Sequence, residues 1–416
     1  MSRKYLISFV LAALVAAAAI GVAASRAQGS TPLPSISPTG LLAKVAAAAK
    51  SPVPVSGNVA WTNGLIPGSD VASLLGGQGS APNSLAGLAM GGSGRLWVQP
   101  GDGARLEVQG NGSDFIVVGG KDGIWSYSSA TGTAVEYSHA AGATAPSVSP
   151  RPSAAAVDPL AGITTALQRF ASTGTVAVTG QQTVAGRQSY VLTITPAAGA
   201  TTTFGSAQVA IDGATYVPLQ VQVFAKGDTT PTLSAGFTSV SYAKNDSSLF
   251  SFTPPSGATV QHKASPSMPS ATSGGAEPTP VKHAPLTLAQ AQAKARSYGL
   301  TLTVPAKTAV LPFEGATVTA ARGGHGASAI LQYGRGFGSV VLVESTGATG
   351  PSGGLTQQLA KLPGGLLTTT TIGGAQAHEL STSLVDVIAW QRGPVTLLAG
   401  GMVPSSTLQQ FVAGVR

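Results

Sequence analysis

Gly94-Arg95-Leu96-Trp97-Val98-Gln99-Pro100, followed by Ala104-Arg105-Leu106-Glu107-Val108-Gln109-Gly110, decides how the chain is read. In the second run Leu106 and Val108 alternate with Arg105, Glu107 and Gln109, the period of two that gives a strand one dry and one wet face. The same grammar continues on both sides, at 55–62 (VSGNVAWT), 114–120 (DFIVVGG), 123–129 (GIWSYSS) and 134–140 (AVEYSHA). Glycine turns separate these runs, so they predict consecutive antiparallel strands. Trp125 and Tyr127 share one face of theirs. A second series follows at 175–184, 188–196, 208–213, 217–225, 236–243 and 249–255. There Tyr190, Leu192 and Ile194 alternate, as do Leu219, Val221 and Val223.

The segments around these strands divide the 416 residues into a leader and two folded units, more than one hydrophobic core usually organises. Residues 1–27 open on Arg3-Lys4, continue through an uncharged stretch from Tyr5 to Ala24 and end on Ser25-Arg26-Ala27. That is the layout of a secretory signal peptide. An N-terminal membrane anchor over 5–24 is the alternative, although eight of those residues are alanine, which contributes little to insertion. In either case the remainder is expected outside the cytoplasm, in a periplasm-like space or cell envelope. Residues 28–38 read as a disordered Pro/Ser-rich segment, and Ser37 or Thr39 is placed to cap an alanine-rich helix beginning at 39. Residues 139–157 form a Pro/Ala-rich break, and 159–171 carry Leu160, Ile163, Leu167 and Phe170 at helical spacing.

A first domain is thus expected over 39–261 and a Pro/Ser-rich linker over 262–285. A second, smaller α+β domain follows over 286–416. Its helix starts at Thr287 and stops at Gly299. Strands are expected near 316–321, 328–334, 338–344, 370–379, 383–391 and 394–399. Leu408, Phe411, Val412 and Val415 form a closing helical stripe.

Composition removes several chemistries. The chain has no cysteine, hence no disulfide, thiolate metal site, thiol nucleophile or acylated N-terminal cysteine. The net charge of +8 includes three leader residues, and the remaining excess of +5 is scattered without a basic run, which argues against nucleic acid as a partner. Gly350-Pro351-Ser352-Gly353-Gly354 spells the G-x-S-x-G string, but in a Pro/Gly-rich loop instead of a strand-to-helix turn. His139, His262, His283, His325 and His378 show no ligand spacing, so no metal site is expected. Asp212 in Ile211-Asp212-Gly213 reads as a turn-former, and His378-Glu379 with Trp390-Gln391-Arg392 as solvated strand ends. No pair of carboxylates stands out for acid/base work, and neither an enzyme activity nor a cofactor is expected.

Over about 37–260 the ordered series of strands resembles the LolA/RseB-like superfamily of bacterial extracytoplasmic proteins (lipoprotein carriers and sigma-factor regulators). The resemblance is carried by Gly94–Val98 with Ala104–Val108, Gly120–Tyr127, Val184–Arg187 with Tyr190–Leu192, Val209–Asp212 with Pro218–Val221, and Phe237–Val240 with Phe250–Gly257. The second domain resembles an uncharacterised module of exported bacterial proteins. The resemblance implies an α+β fold in which a half-open antiparallel β-barrel wraps around helices. It also implies a non-catalytic carrier or receptor that binds lipid or lipoprotein acyl chains in an apolar cavity. An envelope regulator of RseB type, docking on a membrane anti-sigma factor or another membrane-protein ectodomain, is the alternative. A sheet that curves without closing leaves a dry face, and its candidate lining residues are Trp61, Leu96, Val98, Leu106, Val108, Trp125, Tyr127, Leu192, Ile194, Val221 and Val223. Most of these would serve as core in any β domain.

Overall fold

The computed structural model describes residues 32–65, 91–110, 113–121, 123–138, 174–264, 285–305, 311–320, 326–346 and 367–415. The leader, the helix expected over 159–171, the G-x-S-x-G string, His139, His283 and His325 lie outside these residues. The described chain is a β-rich α+β structure built on two sheets.

Twelve strands form the first sheet. They are β1 (Val55–Asn63), β2 (Gly91–Gln99), β3 (Gly103–Gly110), β4 (Ser113–Gly120), β5 (Gly123–Ser128), β6 (Thr133–Ser138), β7 (Gly174–Val184), β8 (Arg187–Pro196), β9 (Phe204–Asp212), β10 (Pro218–Ala225), β11 (Leu233–Phe237) and β12 (Thr259–Ala264). Their order is β12-β6-β5-β4-β3-β2-β1-β11-β10-β9-β8-β7, two antiparallel meanders joined where β1 pairs with β11. Among the described residues β12 and β7 remain edges, so no closed barrel forms. The alternation in the strands of the two series is what such a sheet requires, because each turn returns the chain beside its predecessor.

Helix α1 (Pro38–Lys50) starts where the sequence places it: the Ser37 hydroxyl accepts the Gly40 N–H at 3.1 Å, with proline in the first turn. It lays Leu41 and Val45 on Tyr190, Leu192, Ile194, Val209 and Ile211. Residues 32–37, expected to be disordered, instead lie against the sheet. The Gln181 side-chain amide brackets the Leu33 backbone, accepting from its N–H at 2.8 Å and donating to its C=O at 2.7 Å. The Tyr190 hydroxyl donates to the Pro34 carbonyl at 2.9 Å. The apolar side chains of Leu33 and Ile36 supply the driving force that the surrounding prolines and serines hide.

Two strand expectations are corrected. Over 236–243 the strand is β11, ending at Phe237, with only an isolated bridge between Ser56 and Ser241 beyond it. Over 249–255 there is no strand: Asp246 accepts the Ser248 N–H at 2.9 Å and starts a 3-10 turn at Ser247–Phe250. Unforeseen β12 pairs in parallel with β6 and reaches Ala264, past the boundary placed at 261.

The second sheet has the order β13-β14-β15-β19-β18-β17-β16, all antiparallel. Its strands are β13 (Phe313–Ala320), β14 (Ala327–Tyr333), β15 (Val340–Thr346), β16 (Leu367–Ile372), β17 (Ala375–Ser381), β18 (Asp386–Arg392) and β19 (Val395–Gly401). The single strand expected at 370–379 is a hairpin. Gly373 (φ 56) and Gly374 (φ 85) take the two left-handed positions of a two-residue turn between β16 and β17. Helix α2 (Leu288–Ser297) begins with the full reciprocal cap between Thr287 and Gln290. Helix α3 (Ser405–Ala413) buries the stripe of Leu408, Phe411 and Val412 read from the sequence. Both helices contribute to one core with Leu331, Leu342, Ile388 and Trp390.

The two sheets touch through the turn that precedes β9. The Phe204 and Phe337 rings stack with centroids 4.0 Å apart and planes within 9°. Beside them the Thr202 hydroxyl donates to Phe337 O (3.0 Å) and Met402 O (2.6 Å), and the Thr203 hydroxyl to Leu384 O (2.6 Å).

Candidate ligand-binding face

Residues directly opposite in adjacent strands project from the same face of a sheet, so the register sorts the candidate lining residues without reference to side-chain positions. On β2, β3 and β4, Leu96 faces Leu106, which faces Val117; Val98 faces Ala104, and Val108 faces Phe115. Through Gly94 the same face reaches Val59 on β1, and two residues further along that strand lies Trp61. Trp61 faces Ala235, Ala235 faces Val221, Val221 faces Val209, and Val209 faces Leu192. Val223 and Ile194 both face Ala207. Nine of the eleven residues therefore share one continuous face spanning β1–β3 and β8–β10.

Trp125 and Tyr127 do not. They face Val118 and Ile116, whose side chains project from the reverse of the sheet. There both pack against Phe252, at ring centroid distances of 5.6 and 6.1 Å. The strand carrying them alternates correctly, but its phase is opposite to the one assumed. The chain from Asn245 onward covers this reverse face: Asn245 donates to Gln99 Oε1 (2.9 Å) and Val98 O (3.0 Å), while Arg105 reaches Leu249 O (3.2 Å).

The shared face is graded in burial. Leu192 and Ile194 lie under α1 with no exposed surface to speak of, and Trp61, Val98 and Val108 are also buried. Leu96, Leu106, Val221 and Val223 are half-buried, as is Val117, which the sequence reading passed over although DFIVVGG puts it in phase with Phe115. The Trp61 indole lies across Gly92, where a Cβ would stand 2.9 Å from the ring. A side chain at 92 would lift the indole off the strand. The face is thus aliphatic and aromatic along its length, able to desolvate hydrocarbon and without an ionisable group among the nine.

Polar clusters lie elsewhere. Asp212 caps its own turn, accepting the Ala214 and Thr215 N–H groups at 2.8 Å each and the Arg187 guanidinium at 2.7 and 3.3 Å. Burial pushes its carboxyl up, yet Arg187 and the two backbone donors outweigh this and hold it below the usual carboxylate range. The Tyr242 ring stands 5.3 Å from the same guanidinium. His262 pairs with Glu136 at 2.7 Å on the surface, and His378 sits on β17 facing Thr369. Among the described residues no group of three or more His, Asp or Glu could hold a metal ion. No described helix is long and apolar enough to cross a membrane.

Two clefts lie among the described residues, one of mixed lining and one mainly polar. One, of about 390 Å³, lies at the junction of the sheets beside Thr201, Thr203, Lys226 and Ser383. The other, of about 600 Å³, is bordered by Asp102, Lys121, Lys244, Asn245, Asp246 and Ser247.

No protein-family model matches the chain, and no curated protein matches it. Among solved structures it is similar to the MucA/MucB complex of Pseudomonas aeruginosa, at 12% identity over 91% of this chain and 98% of that one, with a TM-score of 0.43. MucB alone is similar at 13% identity over 91% and 97%, with a TM-score of 0.37. A LolA superfamily protein from Nitrosomonas europaea is similar at 8% identity over 52% of this chain and 99% of that one, with a TM-score of 0.20.

Proposed function

We propose that the chain is an exported, non-catalytic binding protein of the cell envelope that receives an acyl chain of a lipid or lipoprotein on the apolar face of its first sheet. The observation that carries this reading is the continuity of that face. Residues scattered from Trp61 to Val223 in sequence are brought onto one side of an unclosed sheet by strand register. Each methylene moved from water onto such a surface gains about 0.8 kcal/mol before the costs of ordering, so a long acyl chain reaches micromolar affinity without a charged contact. Leu192 and Ile194 serve as the floor under α1, whereas half-buried Leu96, Leu106, Val221 and Val223 are the contact positions.

The test is uptake of a fluorescent fatty acid by the full chain and its variants. Leu96→Asp and Leu106→Asp each place a charge on the face and are expected to weaken uptake at least about tenfold, the effect of desolvating a carboxylate beside hydrocarbon. Trp125→Ala, on the reverse face, leaves it unchanged. Uptake that responds equally to the two faces, or no uptake by folded protein, rejects the reading.

A further inference from the structure

The two sheets have four edges among the described residues, and they are treated unequally. An open edge presents unpaired N–H and C=O groups that template another strand, so proteins blunt it with bulges, charges or covering chain. At β7 the register shifts between Val178 and Gly180, and the Gln181 side chain is occupied with the Leu33 backbone. At β13, Leu286 crosses the edge and exchanges both backbone hydrogen bonds with Ala316, at 3.0 and 3.1 Å. Strand β12 carries His262, which pairs with Glu136.

Among the described residues strand β16 has none of these devices. It reads Leu367-Thr368-Thr369-Thr370-Thr371-Ile372, uncharged, free of proline and glycine, and in unbroken register with β17. The hairpin geometry fixes which backbone groups are free. Ile372 and Ala375 flank a two-residue turn, so they exchange both hydrogen bonds, and this pattern repeats at Thr370 and Thr368. The N–H and C=O groups of Leu367, Thr369 and Thr371 therefore point away from β17.

We infer that this edge is a docking strand for an extended, uncharged, β-branched-rich segment of another protein, which adds to the second sheet beside β16. The inference goes beyond the acyl-chain reading and does not depend on it. The dimensions select the occupant. Six residues span roughly 20 Å, and one strand pair of that length falls short of the roughly 800 Å² per partner that a stable interface between folded copies buries. A flexible segment that orders as it pairs needs only the main-chain bonds and a fit to alternate side chains. Those side chains are threonines on both faces, whose cross-strand partners of choice are threonine and other β-branched residues.

The experiment measures binding of a short, capped, fluorescent peptide of alternating threonine and valine to the full chain by anisotropy. Thr369→Pro removes one outward N–H and leaves the hydrogen bonds to β17 in place. It is expected to weaken binding about tenfold or more. Because a proline variant can misfold, peptides N-methylated at alternate positions test the same point on unaltered protein. Methylation of one alternate set abolishes binding and methylation of the other leaves it. Failure of the parent peptide to bind, or equal effects of both methylated sets, overturns the inference. So does a dimer of the full chain that Thr369→Pro dissociates, since the occupant would then be a second copy.

Discussion

Replacing Glu344 with glutamine is expected to abolish a pH dependence of stability that the wild-type fold carries in its second sheet. Glu344 lies on β15 with no exposed surface, opposite Ala329 on one side and Leu397 on the other. Both carboxylate oxygens accept the Thr303 N–H, at 3.1 and 2.9 Å. Burial pushes the carboxyl up to about 7, and the Thr303 bonds and the more distant Arg392 charge recover only part of that. Tyr333, the other titratable group acting on this site, is itself held neutral by burial. Between the ordinary carboxylate value and about 7 the native state keeps a proton that the unfolded chain has released. Stability is therefore greatest on the acid side and falls as pH rises through this window. The displacement from 4.5 to about 7 corresponds to roughly 3 kcal/mol. Urea titrations at about pH 5 and about pH 8 measure it, with the glutamine variant subtracting every other titrating group. Wild type is expected to lose about 2.5 kcal/mol more than Glu344→Gln across the interval, the part of the displacement that falls between these two pH values. Equal losses in the two proteins would refute the assignment of a buried, protonated carboxyl to this position.

Other consequences follow from the same geometry. Phe204→Ala and Phe337→Ala are each expected to cost about 3–4 kcal/mol, with a coupling near 1 kcal/mol in the double-mutant cycle, because the stacked pair fastens one sheet to the other. Unfolding of the two sheets then separates into distinct transitions by calorimetry. Asp212→Asn has the opposite pH signature to Glu344. The depressed native carboxyl contributes stability above its ordinary value of 3.8 that is lost as pH falls through the native value, so the gap between wild type and variant closes in acid. Gln181→Ala removes both bonds to the Leu33 backbone, and hydrogen exchange at the Leu33 amide is expected to rise while the first sheet stays protected.

Periodicity made much of the architecture legible. Leu106 with Val108, Tyr190 to Ile194, and Val221 with Val223 alternate in phase with the shared face, and that pattern is local, although β8 is buried on both faces from Ser189 to Ile194. The caps at Ser37 and Thr287 were local too. Three features were not read because they depend on distance or phase. The parallel pairing of β12 with β6 joins residues more than a hundred positions apart and leaves no trace in either segment. The side of the sheet taken by Trp125 and Tyr127 depends on the register accumulated from β2 to β5, which alternation within one strand does not reveal. The 249–255 stretch has the apolar content of a strand, but Asp246 and Pro254-Pro255 favour local turns over a ladder. The β16–β17 hairpin was readable after all: Gly373-Gly374 is a two-residue turn signal, obscured by the threonine run before it.

Mass spectrometry under native conditions, on the full chain expressed in bacteria and purified without detergent, bears most directly on the apolar face as a receptor for hydrocarbon. A bound acyl lipid is expected at near one per chain, displaced by added fatty acid and absent from Leu96→Asp. A folded chain of bare polypeptide mass that stays bare after incubation with lipid would contradict it.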